Sequence, residues 1–538
     1  METADFFRAR IDAMINLNDP LAVLAMRLPW DQIEAALAPI FARQDRAGLT
    51  SEDVDLFGPG VALDGAGRSN AGRPRLPIRL MTSLLYLKHC FNLSDEELAQ
   101  RWSENVLWQF FSGMAYYEHR PPCDPTQIGR FRTAVGEQGL EHMLKATIDT
   151  AVSIKAVRPE ELERVIVDTT VQEKAIAHPV DSRLLEIARH KVVSAARRAG
   201  IALKQTYAKQ GKALRRQAGG YAHAKQFKRL RRVLKRQRTI LGVVMREVQR
   251  KRTAAEFTSD NPLALAELMM WLERAERIRT QQRHDKNKLY ALHAPEVECI
   301  GKGKARKPFE FGVKTAVVVS HKQGLMLGAR TFPGNPYDGH ILSAVLEQAI
   351  NVTQDLSVTI KQVVADLGFR GKDVDADNPG VQIIHRGRLK SLSRQERRWL
   401  KRRQAVEPAI GHLKSDHRLD RCWLKGALGD ALHTISCAAG YNLRWLLRAV
   451  ARLGIGPAFL RLLQTLLSSA RSTPCLAWPR APQRWRVSDY RRPSRGSTPS
   501  QRPRDGVCVI GAAKDFAGPT TSAWRRTTTS GNPTPRTS

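Results

Sequence analysis

The chain has 538 residues, and its charged side chains are strongly unbalanced. Lysine and arginine total 87 against 52 acidic residues, which gives a formal net charge of +35. The length predicts several domains, and the charge predicts a polyanionic partner, nucleic acid first of all. The sequence contains no apolar run of membrane-spanning length and no signal peptide, so we expect a cytoplasmic protein without membrane contact.

The N-terminal part of the chain has helical patterns. Residues 12–46 predict two short helices, and the Gly-rich stretch 58–74 predicts a linker. Residues 76–91 have helical apolar spacing. Ser94, with Glu97 three residues later, then predicts the capped start of the next helix.

A third helix is predicted after the Pro-rich turn near residue 122, and we expect its Arg130 and Arg132 to be exposed. Three helices joined by short turns are compatible with a helix-turn-helix module that grips DNA. A structural helical bundle is the alternative, and spacing alone favours that alternative.

From residue 165 the pattern changes to short β-branched runs. We predict strands at 165–171, 311–320, 325–332, 360–371 and 381–385, and helices at 341–352 and 393–417. The second and third strands form a predicted hairpin. This order predicts an α/β domain in which helices cover a mixed sheet.

A basic helical insertion, residues 185–299, interrupts this pattern after the first strand. Residues 191–250 contain 18 Lys and Arg and a single acid. A charge run often only solvates a helix face, but this imbalance would repel itself unless phosphates neutralised it. We therefore predict nucleic-acid contact here, with candidate side chains Lys228, Arg231, Arg232, Lys235 and Arg236.

The C-terminal end has a different composition. A last helix is predicted at 451–470, and residues 471–538 are rich in Arg, Pro, Ser and Thr. Such a composition predicts a disordered tail. It could be a basic tail that assists DNA binding, but we favour an accidental extension from a shifted reading frame.

Three carboxylates stand out by their placement. Asp168 and Asp366 each end an apolar strand pattern, and Glu407 lies on the predicted helix 393–417. Each alone has an ordinary explanation, a turn or a solvated helix face. Together they could converge on one cluster, whose repulsion bound divalent cations would remove. Two metal ions are the usual arrangement for phosphodiester cleavage.

The helix around Glu407 adds cations to this cluster. Arg403, Glu407 and Lys414 have the spacing of one helical stripe, which would place two cations beside a scissile phosphate. Pro408 predicts a kink just after the acid. Asp338 and Asp416 also lie near these motifs, and we interpret them as a loop cap and a surface residue.

Cysteine and histidine spacing gives no metal signature. The seven cysteines include no CxxC pair, which argues against a disulfide framework and against a thiolate zinc site. No serine or cysteine has a convincing histidine partner for nucleophilic catalysis.

At these residues the chain resembles the bacterial insertion-sequence DDE transposases, of the kind called insertion-sequence family five and close to family four. The resemblance is carried by the segments at 72–113, 167–185, 292–317, 332–340, 365–371 and 406–421. They occur in the family's order and extend over about residues 20–450. Leu400 and Phe369 stand where the family has tyrosine, and neither position is a metal ligand.

The resemblance implies an RNase H-like catalytic domain at 161–184 and 300–450. It also implies an all-α DNA-binding domain at 75–160, preceded by a helical segment at 1–57. The implied metal ligands are the three carboxylates, which hold two Mg²⁺ or Mn²⁺ ions. Arg403 and Lys414 are the implied phosphate contacts.

The implied function is DNA transposition. The protein would bind the terminal inverted repeats of its element, cleave double-stranded DNA and transfer the strand to target DNA. It would act as a homo-oligomer, a dimer on DNA, at the bacterial nucleoid. The alternative is a non-catalytic DNA-binding protein or an inactive transposase remnant, and a second alternative is an RNase H-like nuclease without strand transfer.

Overall fold

The computed structural model describes residues 9–41, 75–258, 261–303, 307–370 and 380–455. The predicted linker at 58–74 and the predicted tail at 471–538 lie outside the described residues. Within the described ranges, none of the helices is both long enough and apolar enough to cross a membrane.

The N-terminal region is helical. Its helices are α1 (Ile11–Met14), α2 (Pro20–Arg27), α3 (Trp30–Leu37), α4 (Ile78–Cys90), α5 (Asp95–Glu104), α6 (Val106–Phe111) and α7 (Pro125–Ser153). Ser94 caps α5 by accepting from the Glu97 amide at 3.1 Å, as predicted. The Glu97 carboxylate accepts from Arg101 at 2.9 Å. Gly136, with φ of 68°, interrupts α7 with a kink.

The prediction that Arg132 is exposed is wrong. Arg132 is buried, and its guanidinium donates to Asp95 at 3.0 Å. Asp95 lies in the first turn of α5, against which α7 packs, so the carboxylate neutralises the buried cation. Arg130 is exposed on the same helix.

One mixed sheet forms the centre of the α/β region. Its strands are β1 (Arg164–Glu173), β2 (Glu298–Gly301), β3 (Phe309–Ser320), β4 (Met326–Phe332), β5 (Gln362–Ala365) and β6 (Gln382–Ile384). β3 pairs antiparallel with β1, β2 and β4, whereas β5 pairs parallel with β1 and β6 pairs parallel with β5. The predicted mixed α/β class and its hairpin are confirmed. The strand predicted at 360–371 is shorter than expected, because it ends at Ala365 before a 3₁₀ turn, Leu367–Phe369, and β2 was not predicted.

Helices on the sheet complete this region. They are α12 (Leu342–Thr353), α13 (Arg394–Arg402), α14 (Val406–Ser415) and α15 (Gly426–Leu453). α15 ends at Leu453, and the next residue, Gly454, has the left-handed φ of 60° that favours glycine. The helix predicted at 451–470 therefore begins inside α15, and its residues beyond 455 lie outside the described ranges.

The predicted helix 393–417 is two helices. A 3₁₀ turn, Arg403–Ala405, separates α13 from α14. Pro408 lies in the first turn of α14, where its missing N–H has no helical acceptor to lose. The break therefore precedes Glu407, and the predicted kink after it is wrong. The Ser393–Glu396 capping box that starts α13 is present.

Four helices lie between β1 and β2. They are α8 (Asp181–Arg198), α9 (Ala208–His223), α10 (Phe227–Thr258) and α11 (Pro262–Thr280). They share an apolar core separate from that of the sheet, which includes Leu185, Val192, Leu241, Val244, Leu268 and Leu272. This region therefore has a hydrophobic core of its own.

Helix α15 is almost completely surrounded, since it packs on α4, α7 and β4. Gly440 permits the closest approach. A Cβ at this position would lie 2.4 Å from the Cβ of His89 and 2.6 Å from its carbonyl carbon, so any larger residue would push α4 away.

We expect Gly440→Ala to destabilise the protein by about 1–3 kcal/mol through this overpacking. The measurement is the midpoint of urea unfolding, monitored by circular dichroism. Gly219→Ala in α9 is the matched control, because a Cβ there meets nothing within 4 Å and alanine suits a helix better than glycine. A Gly440→Ala chain as stable as the control would contradict the packing described.

Candidate active site

The register of two parallel strands brings the two candidate aspartates together. The last pair in the β1–β5 ladder is Val167 opposite Ala365. The residue that follows each member of this pair is an aspartate, Asp168 after Val167 and Asp366 after Ala365. The two aspartates therefore occupy neighbouring positions along the β1 and β5 directions. Asp168 lies inside β1, which continues to Glu173, and Asp366 immediately follows β5.

A single guanidinium links these carboxylates. Arg403 Nη1 donates to Asp168 Oδ2 at 3.1 Å, and Arg403 Nη2 lies 3.9 Å from Asp366 Oδ1. Each aspartate also accepts one backbone N–H at 2.8 Å, from the following residue in both cases. The 3₁₀ turn before α14 therefore positions the Arg403 guanidinium beside both carboxylates, where its charge offsets their repulsion.

The two aspartates differ in exposure. The side chain of Asp168 is 17% exposed and that of Asp366 is 52% exposed. Burial raises the pKa of Asp168 above its ordinary value, and the charge of Asp366 adds to this rise. The Thr169 N–H and the Arg403 guanidinium oppose it. Burial therefore disfavours the charged form of Asp168, and the Arg403 guanidinium offsets part of that effect.

The third candidate acid lies on the neighbouring helix. Glu407 is exposed in the first turn of α14, and α14 packs against β1 through its apolar face. Val406 and Leu413 on that face are fully buried. Among the described residues, the three candidate acids do not form a group whose ligand atoms all lie within 4.8 Å of one another. The structure brings Asp168, Asp366 and Arg403 together and leaves Glu407 outside this contact.

Lys414 is tied to the sheet. Its Nζ donates to Glu310 Oε2 at 3.2 Å, and Glu310 is a buried acid in β3. The predicted stripe of Arg403, Glu407 and Lys414 is broken by the 3₁₀ turn, and its two cations pair with different acids of the sheet.

One neighbour of the site was missed by the sequence. Asp338 was interpreted as a loop cap, but a Cβ at Gly368 would lie 2.5 Å from Asp338 Oδ2, so this carboxylate borders the loop after Asp366. Lys314 of β3 donates to Asp338 at 2.9 Å. The glycine two residues after Asp366 was the available signal, because close approach of a side chain requires a residue without Cβ.

The donor set suits a hard divalent cation. The candidate ligands are carboxylate oxygens, which Mg²⁺ and Mn²⁺ prefer. Two of them are already adjacent, and one guanidinium supplies the positive charge between them. The site residues therefore fit a metal of this class.

Comparison with known proteins identifies the family. Residues 62–134 match the Transposase domain (DUF772), and residues 275–443 match the Transposase DDE domain. The chain is also 41% identical over 223 residues to "Uncharacterized protein ORF8 in nfe locus" from Rhizobium meliloti, a stretch that covers 41% of this chain and 95% of that protein. The chain therefore carries the two domains of a DDE transposase. The DDE domain is that of enzymes that cleave and transfer DNA strands. No solved structure matches this transposase.

The domain match and the site overlap in part. Asp366, Arg403 and Glu407 fall inside the DDE match, whereas Asp168 lies before its first residue, 275. The four helices α8–α11 separate Asp168 from β2 in sequence. The β1–β3 and β1–β5 ladders nevertheless place Asp168 in the same sheet as the matched residues.

We expect Lys414→Met to destabilise the transposase, because it leaves the Glu310 carboxylate buried without a cation. The loss for a fully buried pair is about 3–5 kcal/mol, and we expect less here because Lys414 is 20% exposed. Glu310→Gln in the same chain should recover most of the urea midpoint. Lys401→Met, at an exposed position of α13, is the control. A double variant no more stable than Lys414→Met would contradict the pairing.

Proposed function

We propose that this chain is the transposase of a bacterial insertion sequence of family five. It binds the terminal inverted repeats of its element, cleaves the DNA strands and joins the freed 3′ end to target DNA. The observation that carries the proposal is the adjacent placement of Asp168 and Asp366 in a chain that matches the DDE domain. A central β1 in a mixed sheet flanked by helices supports an RNase H-like catalytic domain.

In this proposal Asp168, Asp366 and Glu407 hold two Mg²⁺ or Mn²⁺ ions. Such ions lower the pKa of the attacking water or hydroxyl and stabilise the leaving oxygen. The two aspartates are adjacent through the parallel register. The Glu407 side chain is exposed in the first turn of α14, which leaves its carboxylate available as the third ligand.

Arg403 and Lys414 are the proposed phosphate contacts near the acids. Arg403 donates to Asp168 and lies 3.9 Å from Asp366, so its positive charge offsets the repulsion between the two acids and opposes the rise in the pKa of Asp168 that burial causes. Lys414 is partly exposed, and Glu310 fixes its ammonium at the sheet. A cation held in place by a buried acid loses little side-chain freedom when it meets a phosphate.

The basic insertion is the proposed backbone grip on double-stranded DNA. All five candidate cations of α10, from Lys228 to Arg236, are exposed. Their spacing places them on one side of α10, while Val233, Gln237 and Ile240 on the opposite side are buried. A helix with an apolar inner face and a cationic outer face can contact DNA phosphates without disturbing the hydrophobic core beneath it.

We place end recognition in the N-terminal helices, 75–160, and a dimer on the DNA at the nucleoid. Residues 62–134 match a transposase domain, which supports a transposition role for this region. The rival proposals are a non-catalytic DNA-binding protein or remnant, and a nuclease without strand transfer. Nicking that requires a divalent metal excludes the first rival, and joint molecules with target DNA exclude the second.

Replacing a proposed metal ligand should separate catalysis from binding. We expect Asp168→Ala and Glu407→Ala to abolish cleavage of a duplex that carries the inverted repeats flanking the gene. DNA affinity, measured by fluorescence anisotropy, should stay within a few-fold. Asp355→Asn, an exposed acid on another surface, is the control and should cleave normally. Full cleavage by both alanine variants would overturn the assignment.

Neutralising cations of α10 should lower both the affinity and its dependence on salt. We expect Arg231→Gln with Lys235→Gln to reduce the slope of log K against log salt by about 1.8, because each phosphate contact contributes about 0.9. Arg283→Gln with Lys286→Gln removes the same two residue types from an exposed loop and should leave the slope unchanged. An equal decrease in both variants would show that bulk charge, not this helix face, binds the DNA.

A further inference from the structure

A second group of potential ligands lies away from the carboxylates, where α15 crosses α4. His89 of α4 and His433 and Cys437 of α15 are buried, with 1%, 5% and 0% of their surface exposed. One ligand atom from each lies within 4.8 Å of the others. His433 and Cys437 are four residues apart, so they share one face of their helix. We propose that these three side chains bind one Zn²⁺ ion that fastens α15 to α4.

The distances suit a zinc centre. His89 Nδ1 lies 3.5 Å from Cys437 Sγ. Zn–S bonds of about 2.3 Å and Zn–N bonds of about 2.0–2.1 Å at a tetrahedral angle separate two such ligands by about 3.6 Å. The carbonyl oxygen of His417 lies 3.4 Å from the same Nδ1, and it is the candidate for the fourth position.

The hydrogen bonds around the rings support this assignment. His433 Nε2 pairs with the Arg418 carbonyl at 2.8 Å, which puts the proton on Nε2 and leaves the Nδ1 lone pair for a metal. His89 Nδ1 faces both a carbonyl and a thiol. One ring nitrogen cannot donate to the carbonyl and accept from the thiol at once, whereas a metal ion uses all three atoms as ligands.

The charges nearby set the conditions for binding. Burial lowers the pKa of His89 well below its ordinary value and that of His433 to about 3, so both rings are neutral and can ligate. Burial also raises the pKa of the Cys437 thiol, so the ion must displace a proton. The cations Lys88 and Arg132 oppose binding, but both pair with Asp95, at 2.6 and 3.0 Å.

The ion would connect the two regions that the family matches define. His89 lies in the segment that matches the Transposase domain, and His433 and Cys437 lie in the segment that matches the DDE domain. The site takes a borderline metal through nitrogen and sulfur, so it differs in chemistry from the carboxylate site, which takes hard cations. Its role is structural, since all three side chains are buried.

The test is the metal content of the purified full-length chain after exposure to Zn²⁺ and dialysis against metal-free buffer. We expect one zinc per chain in the wild type and in Asp168→Ala, which removes a carboxylate ligand only. Cys437→Ser and His433→Gln should retain none. Cys422→Ser is the matched control, because Cys422 is equally buried but outside the group. A wild type without zinc, or a Cys437→Ser chain with the wild-type content, would overturn the proposal.

Cobalt substitution keeps the test decisive if the variants fail to fold. Co²⁺ bound to the wild-type chain should give a thiolate-to-metal charge-transfer band, which requires a Cys ligand. The band should persist in Cys422→Ser. A folded wild-type chain that binds Co²⁺ without this band would exclude the site, because only the carboxylates would then hold the metal.

Discussion

The candidate active site depends on the parallel pairing of β1 with β5. This register puts Val167 opposite Ala365, and it therefore makes the next two residues a pair of adjacent aspartates. A shift of one residue would turn Asp366 to the opposite face of the sheet. The pairing costs repulsion between two like charges. The Arg403 guanidinium offsets that repulsion, and the 3₁₀ turn between α13 and α14 positions it.

The helical insertion after β1 is compatible with this strand register because the insertion has its own hydrophobic core. Helices α8–α11 bury their apolar faces against one another in a core separate from that of the sheet. The basic outer face of α10 is therefore not part of the packing on the sheet. The chain then returns through β2 and β3, and the β1–β3 ladder runs from Val165 to Glu173. A strand can thus carry a site residue far in sequence from the segment that matches the DDE domain.

The sequence predicted elements well where one local pattern decided them. β-branched runs predicted most of the strands, and the Ser94–Glu97 pair marked the start of α5. The burial of Arg132 and the pairing of Lys414 depend on contacts distant in sequence. The partner of Arg132 lies on another helix, and the partner of Lys414 is 104 residues away. Spacing rules for metal sites likewise cannot detect His89 with Cys437, which are 348 residues apart.

The positive charge of the chain has two physical roles. On α10 the cations are exposed, so phosphates can replace their hydration and counterions. Around the carboxylates each cation has a specific acid: Arg403 has Asp168, Lys414 has Glu310 and Lys314 has Asp338. Such fixed pairs are screened little by salt, whereas the α10 contacts are screened strongly. In the proposed function, affinity for DNA and the geometry of the candidate site therefore rest on different charges, so substitutions can alter one and spare the other.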